Sequence, residues 1–63
     1  MNSTDIENVI FYIRSKGPFD VTVYSAMVRE FGWDLAFLGT QAAFNDNRAL
    51  AVDKEYSDYI MGL

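Results

Sequence analysis

The side chains in this chain that could do chemistry are almost all carboxylates. Nine Asp and Glu residues are spread along 63 residues, and the chain contains neither histidine nor cysteine. Acid–base catalysis by carboxylates needs two groups whose surroundings push their pKa values apart, and no such pair lies within an apolar run. Ser25 and Ser57 have no histidine to activate them as nucleophiles. We therefore expect that this protein is not an enzyme.

Metal and cofactor sites are also not predicted by the residue spacing. The acidic clusters Asn45-Asp46-Asn47 and Asp53-x-Glu55 lack the twelve-residue spacing and central glycine of a calcium loop. The commonest metal-ligating side chains, cysteine and histidine, are absent from the sequence. No glycine-rich phosphate-binding loop occurs either. We expect no cofactor, no metal and no small-molecule substrate.

The charge balance bears on the class of partner. Five basic and nine acidic side chains give a net charge of −4, and no Lys or Arg occurs between Trp33 and Asn47. Proteins that bind duplex DNA usually carry a basic face that displaces counterions from phosphate. We therefore expect no nucleic-acid partner, whereas an acidic surface suits a basic protein partner or simple solubility.

Membrane association and export are not indicated. No apolar run reaches the roughly 18 residues that a membrane span needs. The first residues, MNSTDIENV, are polar and acidic, unlike a secretory signal peptide. We expect a cytoplasmic protein that forms one small domain, residues 1–63.

Short helices must position these side chains, and the first is predicted at about 5–16. Thr4 with Glu7 three residues later fits a capping box. Apolar residues then follow at helical spacing: Ile6, Val9, Ile10 and Ile13. Gly17 and Pro18 end the helix, because glycine accepts a left-handed closing residue and proline cannot continue the pattern.

A second helix is predicted at 21–31. Asp20 can cap it, Gly32 can end it, and its apolar face is well filled: Val21, Tyr24, Met27, Val28 and Phe31. The alternation of Phe19, Val21 and Val23 also allows a short strand. The helical pattern is the longer of the two, so we favour the helix.

A third helix is predicted at about 34–45, with Asp34 as its cap and Gly39 in its interior. The segment 48–63 fits either a fourth helix or a hairpin with a charged turn. We favour the helix slightly, because good helix formers outnumber β-branched residues there. The predicted fold is thus all-α or mainly α, a compact bundle of three short helices plus this C-terminal segment.

The break at Gly32 within Tyr24 to Phe44 resembles a helix-turn-helix in its apolar positions. A hairpin after it would complete the element order of a winged helix. The would-be recognition helix, however, offers only three polar groups before its end: Asp34, Thr40 and Gln41. Base and phosphate contacts are dominated by Arg and Lys. We therefore favour helices that pack together without binding DNA.

The aromatic content, 16% of the residues, exceeds what so small a core can cover. We assign five apolar residues to the core: Ile13, Met27, Val28, Leu35 and Leu38. Aromatic residues are enriched at interaction hot spots, and flanking acids orient a partner. We therefore predict a partner-binding surface of four aromatics and two acids: Tyr12, Tyr24, Glu30, Trp33, Asp34 and Phe37.

One family resemblance arises from the same region. The run Tyr24-Ser25-x-Met27-Val28-Arg29, then Phe31-x-Trp33-x-Leu35-Ala36, resembles small early proteins of short-tailed lytic coliphages. Those proteins inhibit cell division by binding the tubulin-like protein FtsZ and blocking its assembly. The segment Asn47-Arg48-Ala49-Leu50-Ala51 is similar to their Asn-Lys-Ala-aliphatic-Ala segment. The resemblance covers residues 22–53, about half of the chain.

The resemblance implies a phage-encoded protein that binds and inhibits a bacterial host protein in the host cytoplasm, with FtsZ as the favoured target. Three other targets are alternatives within this class: a CRISPR complex, a restriction enzyme or RNA polymerase. From another class, a winged-helix regulator stays open. The chain departs from the phage proteins in its full first helix and its longer aromatic tail, Tyr56 to Leu63.

Overall fold

The computed structural model describes residues 3–62, except for the side chain of Ser3. Four helices follow one another along the chain: α1 Ser3–Ser15, α2 Val21–Phe31, α3 Trp33–Phe44 and α4 Arg48–Ile60. The predicted all-α bundle is confirmed, and its C-terminal segment is a fourth helix. Residues 3–62 contain no strand, so the strand at 19–23 and the winged-helix hairpin are wrong alternatives.

The start of α1 differs from the prediction, and its end agrees. The helix begins at Ser3, so Thr4 lies inside the first turn and is not the cap. Four consecutive residues here, positions 2 to 5, are all of types that favour the cap, so the sequence does not select one of them. At the other end, Gly17 adopts the left-handed φ of 76° just beyond the helix.

Helix α2 has the predicted bounds and the predicted cap. The Asp20 carboxylate accepts a hydrogen bond from the Val23 backbone N–H at 3.1 Å. Gly32 closes the helix, and its backbone N–H donates to the Val28 carbonyl at 2.9 Å. Gly32 has a φ of 91°, which residues with a side chain rarely adopt. One glycine therefore both ends α2 and turns the chain into α3.

Helix α3 begins at Trp33, one residue earlier than predicted. The cap position is Gly32, which has no side chain to offer, and Asp34 lies within the first turn. The predicted Asp34 cap is therefore wrong. A carboxylate at this position still interacts favourably with the positive end of the helix dipole. The helix ends at Phe44, and Asn45 follows in the left-handed conformation with a φ of 54°.

Helix α3 is the central element and packs against the other three helices. Eight hydrophobic residues from all four helices are buried: Val9, Ile13, Tyr24, Met27, Ala36, Ala49, Val52 and Tyr56. Of the five predicted core residues, Ile13 and Met27 are buried. Val28 and Leu35 pack against the core while keeping part of their surface exposed. Leu38 is 42% exposed, so its assignment to the core is wrong.

Leu38 is exposed because α3 packs against the other three helices through its small residues. The buried residues of α3 are small: Ala36, Gly39 and Thr40. Small side chains let neighbouring helix backbones approach closely, so this face is turned inward. The larger apolar residues of α3 are then left at the margins of the core or at the surface.

Candidate functional site

A groove of about 470 Å³ opens beside the first turns of α3. Four of its lining residues come from α3 and one from α4: Trp33, Asp34, Phe37, Leu38 and Asp53. Trp33 and Phe37 lie one helical turn apart on α3, so their rings lie along the same face. The groove therefore brings together three of the six residues predicted to contact a partner, and adds Leu38 and Asp53.

Asp53 joins three helices at the end of this groove. The Trp33 indole N–H donates to its Oδ1 at 2.5 Å, and the Tyr24 hydroxyl donates to the same oxygen at 2.8 Å. Among residues 3–62, no donor is bonded to the other carboxylate oxygen, Oδ2. One oxygen of Asp53 thus links α4 to α2 and α3, and Asp53 also lines the groove.

The Trp33 ring is also held by aromatic packing. The Tyr56 ring lies edge-to-face against it, with centroids 5.1 Å apart and planes at 80°. Tyr56 makes a similar contact with Tyr24, at 5.7 Å and 74°. Such edge-to-face pairs are favoured by the charge distribution of the rings. Trp33 is therefore fixed by a hydrogen bond and a ring contact, yet 39% of its surface remains exposed.

The groove is acidic. Asp34 and Asp53 both line it, and none of its lining residues is Lys or Arg. The two ion pairs found in residues 3–62, Arg48–Asp46 and Lys54–Asp58, involve other carboxylates. In that part of the chain neither Asp34 nor Asp53 is paired with a cation, so both charges contribute a negative potential at the groove.

Tyr24 lies behind the groove and not in it. It is fully buried, so the prediction that it contacts a partner does not fit its position. Burial raises the pKa of the Tyr24 hydroxyl, and the nearby Asp53 carboxylate raises it further. The hydroxyl therefore stays protonated at physiological pH and donates to Asp53. Its role is to position Asp53 and, through it, Trp33.

The two remaining predicted contact residues, Tyr12 and Glu30, do not line the groove. Tyr12 is half-buried against Phe31, edge-to-face at 5.6 Å, with the Lys16 ammonium 4.8 Å from its ring centroid. Glu30 is exposed near the end of α2. The groove that contains Trp33 therefore includes neither of these two residues.

Sequence reasoning missed two groove residues: Leu38, which it assigned to the core, and Asp53. Asp53 lies 20 positions from Trp33, so no local motif connects the two. A signal was nevertheless present. Ala49, Val52 and Tyr56 are buried at helical spacing on α4, and Asp53 falls on the same face at i+4 from Ala49. A carboxylate on the apolar face of a helix needs a buried hydrogen-bond donor, and Tyr24 provides it.

Two absences in residues 3–62 concern metal ions and membranes. No group of three or more acidic side chains there is arranged to hold a metal ion. None of the helices in residues 3–62 combines the length and apolarity that crossing a membrane requires.

The groove is thus an exposed aromatic and acidic surface on a small helical bundle. Comparisons with known protein families, with curated proteins and with solved structures gave no match to this chain.

Proposed function

We propose that this protein is a phage-encoded inhibitor that binds a bacterial host protein through the groove at the start of α3. The favoured target is the tubulin homologue FtsZ, and the mechanism is stoichiometric binding. The observation that carries the proposal is the state of Trp33, which is held by Asp53 and Tyr56 while 39% of its surface stays exposed.

A fixed and exposed aromatic is suited to binding a protein. Tryptophan is among the residues that contribute most to interaction hot spots. Ordering a free side chain on association costs about 0.5–1.5 kcal/mol, and Trp33 is already ordered by its two contacts. Leu38, 42% exposed, and the half-exposed Phe37 extend the apolar part of the surface. A partner that covers them gains hydrophobic free energy.

The choice of target rests on the sequence resemblance to the coliphage cell-division inhibitors. The resembling run Tyr24 to Ala36 forms α2, the Gly32 turn and the beginning of α3. The second resembling segment, Asn47 to Ala51, forms the beginning of α4. All five lining residues of the groove fall within residues 22–53, the range that the resemblance covers, and Trp33 is one of the residues that carry it.

The test combines expression in a bacterial host with an assembly assay on purified FtsZ. Expression should produce undivided, filamentous cells, and the purified protein should lower FtsZ polymer formation at near-equimolar ratio. Leu38→Ala should keep its thermal midpoint and weaken inhibition about thirtyfold, the effect of truncating a hot-spot side chain. Leu50→Ala is the matched control, because Leu50 is 61% exposed but does not line the groove.

Different outcomes overturn different parts of the proposal. Normal FtsZ assembly in the presence of the protein removes FtsZ as the target. Affinity capture would then test the alternatives: a CRISPR effector, a restriction enzyme or RNA polymerase. If Leu38→Ala inhibits as well as Leu50→Ala does, or if both variants lose inhibition to the same extent, the groove is not the binding surface. Normal growth on expression would contradict an inhibitor of the host altogether.

A further inference from the structure

We infer that the groove receives an arginine side chain of the partner protein, held between the carboxylates of Asp34 and Asp53 and the exposed ring of Trp33. The inference rests on the proposed function, because it specifies the chemistry that the partner presents. It adds a polar centre to what would otherwise be an apolar contact.

The first argument is charge complementarity. Two carboxylates line the groove, and within residues 3–62 no Lys or Arg neutralises either of them. The donors already bonded to Asp53, the Tyr24 hydroxyl and the Trp33 indole, are both neutral. They fix the position of the carboxylate and leave its charge in place. A cationic group is therefore the partner that the free Oδ2 favours most.

The second argument concerns the rings beside these charges. A cation above the face of an aromatic ring is attracted to it, most strongly by tryptophan. The methylene stem of a long basic side chain can also cover apolar surface such as that of Phe37 and Leu38. Arginine fits better than lysine, because its planar guanidinium stacks on rings and donates to two carboxylate oxygens at once.

The third argument is a contact that the chain makes with its own arginine. The Arg48 guanidinium lies 4.7 Å from the centroid of the Phe44 ring. The same side chain is 3.5 Å from the Asp46 carboxylate. The end of α3 thus already shows an arginine held by a ring and an acid. The beginning of α3 presents the same two components, and no cation of residues 3–62 occupies them.

The test uses a pair of short peptides that differ only in charge. Acetyl-Ala-Leu-Arg-Leu-Ala-amide is compared with the same peptide containing citrulline, which has nearly the shape of arginine but no charge. Trp33 is the sole tryptophan, so its fluorescence reports on the groove. The arginine peptide should shift the Trp33 emission in a saturable way. The citrulline peptide should bind with an affinity at least about tenfold lower, because a charged hydrogen bond is lost.

Variants of the protein identify the acids involved. Asp34→Asn and Asp53→Asn should each reduce the preference for arginine over citrulline, because both remove one charge with little change in shape. Glu7→Gln is the matched control, since it removes the same charge from an exposed site on α1 that does not line the groove. The preference should also decrease at high salt, which screens exposed charges.

Three outcomes would overturn the inference. The citrulline peptide could bind as tightly as the arginine peptide. The Glu7→Gln protein could lose the preference as much as the Asp34→Asn protein does. A lysine peptide could bind more tightly than the arginine peptide, which would indicate a general site for cations.

The failure of this inference is distinguishable from the failure of the proposed function. Full inhibition of the host target by Asp34→Asn and Asp53→Asn, with loss of inhibition by Leu38→Ala, removes the arginine and keeps the inhibitor. Selective binding of the arginine peptide without any effect on host cells keeps the arginine site and removes the inhibitor.

Discussion

Val9 of α1 fills the space that a side chain at Gly39 of α3 would need. A β-carbon built on Gly39 would overlap Val9 Cγ1 and lie 2.6 Å from Val9 Cβ. Both residues are buried, so the Val9 side chain has no open space into which it could turn to relieve the overlap. The close packing of α1 on α3 therefore depends on the missing side chain of Gly39.

We predict that Gly39→Ala lowers the stability of the fold. Overpacking a well-filled core costs about 1–3 kcal/mol, which should outweigh the gain of roughly 1 kcal/mol in helix propensity. In a domain of this size each kcal/mol corresponds to about 4–8 °C in the thermal midpoint. The double variant Val9→Ala/Gly39→Ala should lose less than the sum of the single variants. A Gly39→Ala protein more stable than the wild type would contradict this packing.

We predict that Asp53→Ala destabilises the protein through Tyr24. Removal of the carboxylate leaves the buried Tyr24 hydroxyl without its acceptor, which costs about 1–3 kcal/mol. In a Tyr24→Phe background the same change should cost clearly less, because no hydroxyl is left unsatisfied. Urea denaturation of the four proteins in this cycle measures the coupling. Strictly additive effects would show that the hydrogen bond contributes nothing.

The raised pKa of Tyr24 predicts a loss of stability at alkaline pH. In the unfolded chain the hydroxyl ionises near its ordinary pKa of 10.0, and in the folded protein burial and Asp53 raise the pKa. The contribution of Tyr24 is thus fully present below pH 10 and declines as the pH rises toward the folded value. The decline is at most about 1.4 kcal/mol per pH unit.

The measurement is the free energy of unfolding between about pH 8 and pH 11, for the wild type and Tyr24→Phe. The wild type should lose its advantage over Tyr24→Phe as the pH rises through this window. Tyr59→Phe serves as the control and should follow the wild type, because Tyr59 is 71% exposed. An advantage that stays constant up to pH 11 would refute a coupling between folding and this hydroxyl.

We predict no measurable binding to duplex DNA at physiological salt. Helix α3, which would be the recognition helix, carries no Lys or Arg, and the chain has a net charge of −4. A fluorescence titration with labelled duplex is the direct measurement. Non-specific DNA binding typically has a dissociation constant of about 10⁻⁴ to 10⁻⁶ M. A dissociation constant below roughly 10⁻⁶ M would contradict the expectation that the protein has no nucleic-acid partner.

The sequence alone determined the features that depend on near neighbours. The bounds of α2 follow from Asp20 at one end and Gly32 at the other, and both act through bonds within four residues. The end of α1 at Gly17 is equally local. Helical spacing also predicts that Trp33 and Phe37 lie close together at the start of α3, since residues three and four apart share a face.

Only the tertiary structure decided which face of α3 is turned inward. The apolar pattern of this helix extends widely around its axis, so the sequence permits several orientations. The close approach of Val9 to Gly39 selects the small residues for the interior, and this leaves Leu38 in the groove. The sequence likewise leaves the segment after Asn47 open between a helix and a hairpin. Packing of its buried face on α2 and α3 favours the helix α4.

The tertiary structure alone also decided the hydrogen bonds that Asp53 accepts from Tyr24 and Trp33. Asp53 lies 29 positions from Tyr24 and 20 from Trp33, and each of these residues is compatible with a solvent-exposed helix in isolation. Packing of three helices buries the Tyr24 hydroxyl, which then needs an acceptor that the local sequence does not provide. Long-range burial thus decides which polar groups must pair, whereas local hydrogen bonds and turn residues fix helix ends such as the two ends of α2.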